Sequence, residues 1–350
     1  MTMPNVPLFR ILDANLDRAR EGLRVVEEWC RFGLDDPALA ALCKQLRQEL
    51  GRWHRSEFRA ARDTPGDVGT DLTHAREQVR ADIPAVLQAN LCRVQEALRV
   101  LEEYGKVCDP AMGTACKRMR YQTYTLESKL LLSNRRHKLQ QAKLCLVTME
   151  IDALNETVAA ALEGGVRLVQ YRDKDSDDPI RFERAKMLRS LCHQYQALFI
   201  VNDRVDLALA VEADGVHLGQ QDLPVAAARR LLGSDRIIGR STTNPEELAR
   251  AMQEGVDYVG VGPVCATPTK PDKAVAGLDY VRYAAAHSTL PWFAIGGIDG
   301  QNLSEVMAAG AERVAVVRAI MKAADPAQAA RQIIAQLEGA PLMHPTPDVA

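Results

Sequence analysis

From residue 144 onward, short apolar runs return at a spacing that few folds can accommodate: "LCLVTM", "RLVQYR", "LFIVND", "GVHLG", "RIIGRS", "YVGVG", "WFAIGG" and "RVAVVRAI". Roughly 20 to 35 residues separate one run from the next, and most of those intervals read as helix, whereas antiparallel strands would bring their turns much closer together. Eight β-runs joined by helical crossovers predict a parallel (β/α)8 barrel. A doubly wound sheet is the alternative, but its usual Gly-rich first turn is missing, since "TMEIDALN" after the first run contains no glycine.

The first third of the chain repeats itself. "ANLDRAREGLRVVEEW" (14–29) and "ANLCRVQEALRVLEEY" (89–104) match at ten ungapped positions, and both place apolar residues three and four apart, as on an amphipathic helix. Segments opening on Asp-Pro, "DPALAALCKQLRQEL" and "DPAMGTACKRMRYQTYTLESKL", follow each copy and carry a helix-start signal, so two related helical hairpins are expected. Turn formers in "RDTPGDVGTDL" (62–72) mark the loop between them. The resulting organisation is an all-α domain over 1–135, a basic polar linker over 136–143, an α/β barrel over 144–338 and a Pro-rich tail over 339–350.

Composition narrows the function classes. With 350 residues, a formal net charge of −2 and 26% charged residues, the chain has no electrostatic case for nucleic acid or an anionic membrane, and "NRRHK" reads as a solvated linker. The eight cysteines are scattered without a C-x-x-C pair, no apolar stretch is long enough to span a bilayer, and the first residues lack the pattern of a signal peptide, so a cytoplasmic protein is expected. Its partners are expected to be small molecules, and formation of a homo-oligomer is left open.

In such a barrel the loops after the strands share one face, and that face holds the active site. Gln170, Arg172 and Lys174 alternate at the end of the second run and make a sensible anchor for a multiply charged anion such as pyrophosphate; the competing reading is that the two cations bridge Asp173, Asp175 or Asp177. Asp203 and Asp222 fall at the ends of neighbouring runs, close enough to hold one Mg2+, which takes one or two carboxylates and fills its shell with water and phosphate oxygens; lone aspartates at strand ends are otherwise often helix caps. His193 and His217 have no partner at ligand spacing and read as core or surface histidines.

After the sixth run the chain takes about 15 residues, Gly262 to Gly277, to reach the next helix, longer than most βα loops. Pro263, Pro268 and Pro271 stiffen it and hold out Thr267, Thr269 and Lys270, so it reads as a phosphate-facing lid. "AIGGI" (294–298) adds glycine amides, and "VVRAI" (316–320) ends the eighth run, where barrels commonly bind phosphate. Two anion subsites, one metal-assisted and one not, suggest the joining of two phosphorylated molecules.

Together, "QYRDK", "VNDRVDLALAVEADGVHLGQQDLP", "IIGRSTTNPEE", "YVGVGPVCATPTKPDKAVAG" and "FAIGGI" closely resemble the thiamine-phosphate synthase family over residues 144 to 335. The resemblance implies a TIM barrel that condenses 4-amino-2-methyl-5-(diphosphooxymethyl)pyrimidine with a thiazole phosphate, or its carboxylated form, to give thiamine monophosphate and pyrophosphate. It implies that Gln170, Tyr171, Arg172, Asp173, Lys174, Asn202, Ser241 and Lys270 bind the pyrimidine diphosphate, with Arg172, Lys174, Lys270 and Ser241 taking part in catalysis. Mg2+ would be held by Asp203 and Asp222. Thr267, Pro268, Thr269 and Gly297, with the main chain near Val317 and Arg318, would bind the thiazole phosphate.

The chain departs from the commonest family pattern at Arg318, where serine is more usual, and at "STTN", where Ala-His often follows the serine. The N-terminal repeat resembles a helical extension fused to some of these synthases and carries no assigned activity; its Arg18/Arg93, Glu21/Glu96, Arg24/Arg99 and Glu28/Glu103 read as intrahelical ion pairs. The readings to be set against a synthase are a barrel that binds thiamine precursors without turnover and a thiazole tautomerase.

Overall fold

The computed structural model describes residues 6–68, 79–266 and 274–339, in two compact units, 1–133 and 134–350. In the first unit, α1 (Val6–Phe32), α2 (Pro37–Arg52), α3 (Ser56–Ala60) and α4 (Ile83–Cys108) precede α5 (Pro110–Gln141), which carries the chain into the second. Both Asp-Pro signals start helices: the Asp36 carboxylate accepts from the amides of Ala38 and Leu39 at 3.0 Å, and Asp109 from that of Ala111 at 3.0 Å.

The repeat persists in three dimensions. Asn15 and Asn90 each return a side-chain N–H to the carbonyl four residues back, at 2.8 Å in both copies. Glu27 and Glu102 are both buried, and each accepts from an arginine of the following helix, Arg47 at 2.6 Å and Arg120 at 2.9 Å. Arg24 and Arg99 pair with the glutamates three and four residues on, as expected of the repeat. Glu27 and Glu102, which the repeat reading did not single out, have carboxylates only 5% exposed and tie two helices together.

All eight expected runs are strands: β1 (Leu144–Val147), β2 (Leu168–Tyr171), β3 (Leu198–Asn202), β4 (Gly215–Leu218), β5 (Ile237–Thr242), β6 (Tyr258–Val261), β7 (Trp292–Ile295) and β8 (Val314–Val316). Each pairs in parallel with the next, and β8 closes on β1. Alternation sorts every strand into two faces. Outward residues such as Val169, Val201, Val216, Ile238 and Val259 pack beneath the crossover helices. Inward residues Cys145, Leu168, Leu198, Ile200, Ile237, Tyr258, Phe293 and Ala315 fill the barrel together with Leu139 and Ala142.

The basic stretch expected to be a linker over 136–143 is instead helical to Gln141. Two arginines in this last part of α5 find carboxylates on the loops that precede β4, β5 and β6. Arg135 Nε donates to Asp214 at 2.9 Å, and Arg136 to the fully buried Asp257 at 2.7 Å. Asp257 also accepts from Arg229 at 2.8 Å and from the Ile238 amide at 2.9 Å. Charge density that reads as solvation in one dimension is therefore the seal of the barrel's N-terminal end.

Candidate active site

At the other end of the barrel, the last inward position of each strand, or the residue just beyond it, opens on a cavity of about 280 Å³. Gln170, Asn202, His217, Ser241, Gly262, Gly297 and Val317 line it, with Cys145, Val147, Tyr258, Phe293, Ile295 and Ala315 as a largely apolar floor. Polar groups are thus concentrated at the rim, where each strand hands over to its loop.

The end of β2 supplies the first group. Gln170 points inward, and its amide donates to Asn202 Oδ1 at 2.8 Å, which fixes both side chains. Arg172 lines the cavity, its backbone N–H held by Thr148 Oγ1 at 2.9 Å, and none of Asp173, Asp175 or Asp177 pairs with its guanidinium. The Lys174 ammonium lies 3.4 Å from Asp203. Tyr171 and Asp173 turn the other way, which corrects their placement among ligand-facing residues. Tyr171 is buried in the layer between strand and helices, and its hydroxyl donates to Asp173 Oδ2 at 2.9 Å. Asp173 also accepts from Arg184 at 3.1 Å and from the Ser176 amide at 3.0 Å, so it shapes the loop that carries Lys174. Burial raises the Tyr171 phenol, helped by Asp173; for Asp173 burial pushes the opposite way but is outweighed by these donors, which hold the carboxyl low.

Asp203 and Asp222 come together, as their strand order predicts. Asp203 follows β3 with φ of 63°, a left-handed conformation uncommon for a non-glycine residue, and its amide donates to the His217 carbonyl at 2.8 Å. Asp222 accepts from the Gly219 amide at 2.6 Å. Burial raises the Asp203 carboxyl, and the adjoining Asp222 carboxyl raises it further. Asp222 is held low despite burial by the hydrogen bond from Asp203 and by the Gly219 amide. Two adjoining carboxyls whose affinities for a proton are driven apart in this way are a natural seat for a divalent cation. Among the described residues no three His, Cys, Asp or Glu gather as metal ligands, and a bare carboxylate pair fits Mg2+, which keeps most of its shell for water and phosphate oxygens.

On the far side of the mouth, "AIGGI" makes a close backbone approach. Gly296 and Gly297 have φ of 107° and 65°, and a Cβ on Gly297 would meet Cys265 Cβ at 2.8 Å. The loop after β7 therefore runs directly under the start of the loop after β6. Thr267, Pro268, Thr269 and Lys270 lie outside the described residues. Val317 and Arg318 line the cavity where the chain leaves β8. Part of "STTN" is a helix cap, with Asn244 accepting from the Glu247 amide at 2.9 Å.

His217 and Tyr258 escaped the sequence reading as site residues. His217 is a buried core histidine, as expected, but its ring also lies at the cavity, with Nδ1 at 3.0 Å from the Tyr258 hydroxyl and Nε2 at 2.9 Å from Ser241 Oγ. The available signal was glycine in mid-strand. Gly239 and Gly260 occupy inward positions of β5 and β6, and a Cβ at Gly239 would fall 2.3 Å from Tyr258 Cζ and 2.6 Å from His217 Nδ1.

The closed parallel barrel with its charged rim and apolar floor places this unit among (β/α)8-barrel enzymes. A thiamine monophosphate synthase family model matches residues 144–320, and a ThiD2 family model matches residues 10–129. A thiamine-phosphate synthase of Synechocystis sp. is 67% identical over 328 residues, spanning 94% of this chain and 96% of its own. A thiamine-phosphate synthase of Nostoc sp. is 63% identical over 330 residues, spanning 94% of both chains. Among solved structures, a thiamine phosphate pyrophosphorylase from Pyrococcus furiosus superposes with a TM-score of 0.54 at 39% identity, covering 58% of this chain and 98% of that one. The chain belongs to the thiamine-phosphate synthase family.

Proposed function

We propose that the barrel condenses 4-amino-2-methyl-5-(diphosphooxymethyl)pyrimidine with thiazole phosphate, releasing pyrophosphate and forming thiamine monophosphate. What supports this reading is that Asp203, which adjoins Asp222 and Lys174, directly follows Asn202, which lines the same apolar-floored cavity as Arg172. Family membership supplies the reaction; this rim supplies a place for the departing charge.

The bond that breaks joins the pyrimidine's methylene carbon to the diphosphate, and its electron pair leaves with pyrophosphate. The bond that forms uses the lone pair of the thiazole nitrogen, so no general base is needed at the reacting atoms. Arg172 and Lys174 stabilise the negative charge that builds on the leaving oxygen. Gln170 and Asn202, locked to each other, orient the diphosphate or the adjoining ring. Asp203 and Asp222 would hold Mg2+, which when bound neutralises part of the pyrophosphate charge. Val147, Phe293 and Ile295 keep water from the cationic carbon, which water would otherwise capture. Gly297, with the main chain at Val317 and Arg318, would receive the thiazole phosphate together with Thr267, Pro268 and Thr269 of the family motif, while Lys270 would join Arg172 and Lys174 on the diphosphate.

Purified full-length protein incubated with both precursors and Mg2+ should yield thiamine monophosphate and pyrophosphate in equal amounts. Binding of the precursors with no product would favour a non-catalytic barrel, and conversion of the thiazole alone would favour a tautomerase.

A further inference from the structure

His217 and Tyr258 form a buried relay that ends on a side chain of the cavity. Tyr258 is 2% exposed and His217 7%, both inside the barrel, with ring centroids 5.4 Å apart. Room for them is made by Gly239 and Gly260, which leave a niche that any larger residue at 239 would fill. Glycine in a central strand weakens the sheet, so two such positions around one pair of rings mark a niche with a use.

The hydrogen-bond inventory then sets the direction of the relay. A buried phenol must donate its proton, and among the described residues the partner within reach of the Tyr258 oxygen is His217 Nδ1, at 3.0 Å. That nitrogen therefore accepts. A neutral imidazole with an accepting Nδ1 carries its hydrogen on Nε2, which donates to Ser241 Oγ at 2.9 Å. With one lone pair of Ser241 occupied in this way, its own hydroxyl hydrogen is left free to turn toward the cavity that Ser241 lines.

We propose that Tyr258 and His217 are positioning residues that make Ser241 a hydrogen-bond donor toward the ligand, so that the site selects a ring bearing an acceptor atom at that point and rejects one bearing an N–H. Resting on the synthase reading, this assigns the acceptor to the pyrimidine ring, whose nitrogens are of that kind. A histidine held the other way round would leave Ser241 only able to accept, so the relay is a specificity device and not a packing accident.

The test begins with the wild-type full chain and needs no turnover. Nitrogen-15 shifts of the histidine rings, with His217 assigned by its disappearance in His217→Gln, should show an Nε2–H tautomer with an unprotonated Nδ1; an Nδ1–H tautomer overturns the proposal. Tyr258→Phe should mix the tautomers and lower kcat on the order of tenfold, with KM for the diphosphate changed far less. Because both act through one hydroxyl, Ser241→Ala combined with Tyr258→Phe should lose little more than Ser241→Ala alone. Fully additive losses overturn the relay. His217→Gln, whose amide can accept from Tyr258 and donate to Ser241, should retain several-fold more activity than His217→Leu, and equal activity of the two also counts against it. A wild-type chain making no thiamine monophosphate would end the synthase reading, while the tautomer would still decide the relay.

Discussion

The Lys174 ammonium stands 3.4 Å from Asp203 Oδ2, so the loops after β2 and β3 are tied together by the same carboxyl that Asp222 pushes toward its neutral form. Asp203 is thereby pulled two ways. Burial and Asp222 favour its neutral form, while Lys174 favours its charged form, and the first two prevail. A site poised in this way is completed by further positive charge and does not need a base.

Asp203→Asn should therefore separate catalysis from folding. Loss of one of two carboxylate ligands is expected to lower kcat/KM by about 10²-fold or more. Thermal stability without metal should be unchanged or higher, because the substitution removes a carboxyl that the fold holds in an unfavourable environment. Mg2+ should raise the Tm of the wild-type chain but not of the variant. A variant that still gains stability from Mg2+ would place the ion elsewhere.

The sign of the pH dependence follows from the same pair. Asp203 has a raised value in the folded chain, so at neutral pH its ionisation costs stability, and that cost is relieved as pH falls through the raised value. Asp222 is lowered, so its contribution is present above the unfolded carboxylate value and is lost only at more acid pH. Protons should compete with Mg2+ in the window where Asp203 titrates. Titrations monitored by calorimetry should show Mg2+ affinity weakening as pH falls through the raised value of Asp203, with proton release on binding in that window.

Gly239→Ala should be costly although it adds a single methyl group. The new carbon would fall 2.3 Å from Tyr258 Cζ and 2.6 Å from His217 Nδ1, so both rings would have to shift and their hydrogen bond would be disturbed. Overpacking of this kind destabilises by about 1–3 kcal/mol. Gly260→Ala, whose nearest contact would be 3.4 Å from His217 Cε1, should cost less. Chemical denaturation of the two variants checks the order, and a reversed order would mean that the niche is not where the glycines place it.

Much of this was legible beforehand because it rests on periodicity. Eight apolar runs became eight strands, and strand-end positions put Gln170, Asn202 and Ser241 on one cavity, with Asp203 and Asp222 in the loops that follow β3 and β4. What one dimension concealed was direction and depth. Tyr171 and Asp173 sit among rim residues in sequence, yet alternation and a sharp loop turn them toward the helices. His217 lacked a ligand partner at close spacing because its partners, Tyr258 and Ser241, lie 41 and 24 residues away. The arginines at 135 and 136 looked solvated because the carboxylates that receive them are 79 and 121 residues distant.

Those arginines give the last prediction, which concerns where a freestanding barrel must begin. The Pyrococcus furiosus structure matches 58% of this chain and nearly all of its own length, so a barrel of this kind stands without a helical unit of this size. A chain starting at Asn134 keeps Arg135 and Arg136 and should fold and retain the wild-type kcat. One starting at Lys138 loses both and leaves Asp214 and the fully buried Asp257 short of a partner. Asp257 still holds Arg229 and the Ile238 amide, and Arg136 is half exposed, so the deficit should be about 2–3 kcal/mol and not the full cost of an orphaned buried charge. Urea unfolding of the two chains should show the shorter one less stable by that amount with kcat unaltered in its folded fraction, because the seal and the site lie at opposite ends of the strands. Equal stability would mean that the ion pairs at Asp214 and Asp257 contribute nothing once solvent can reach them.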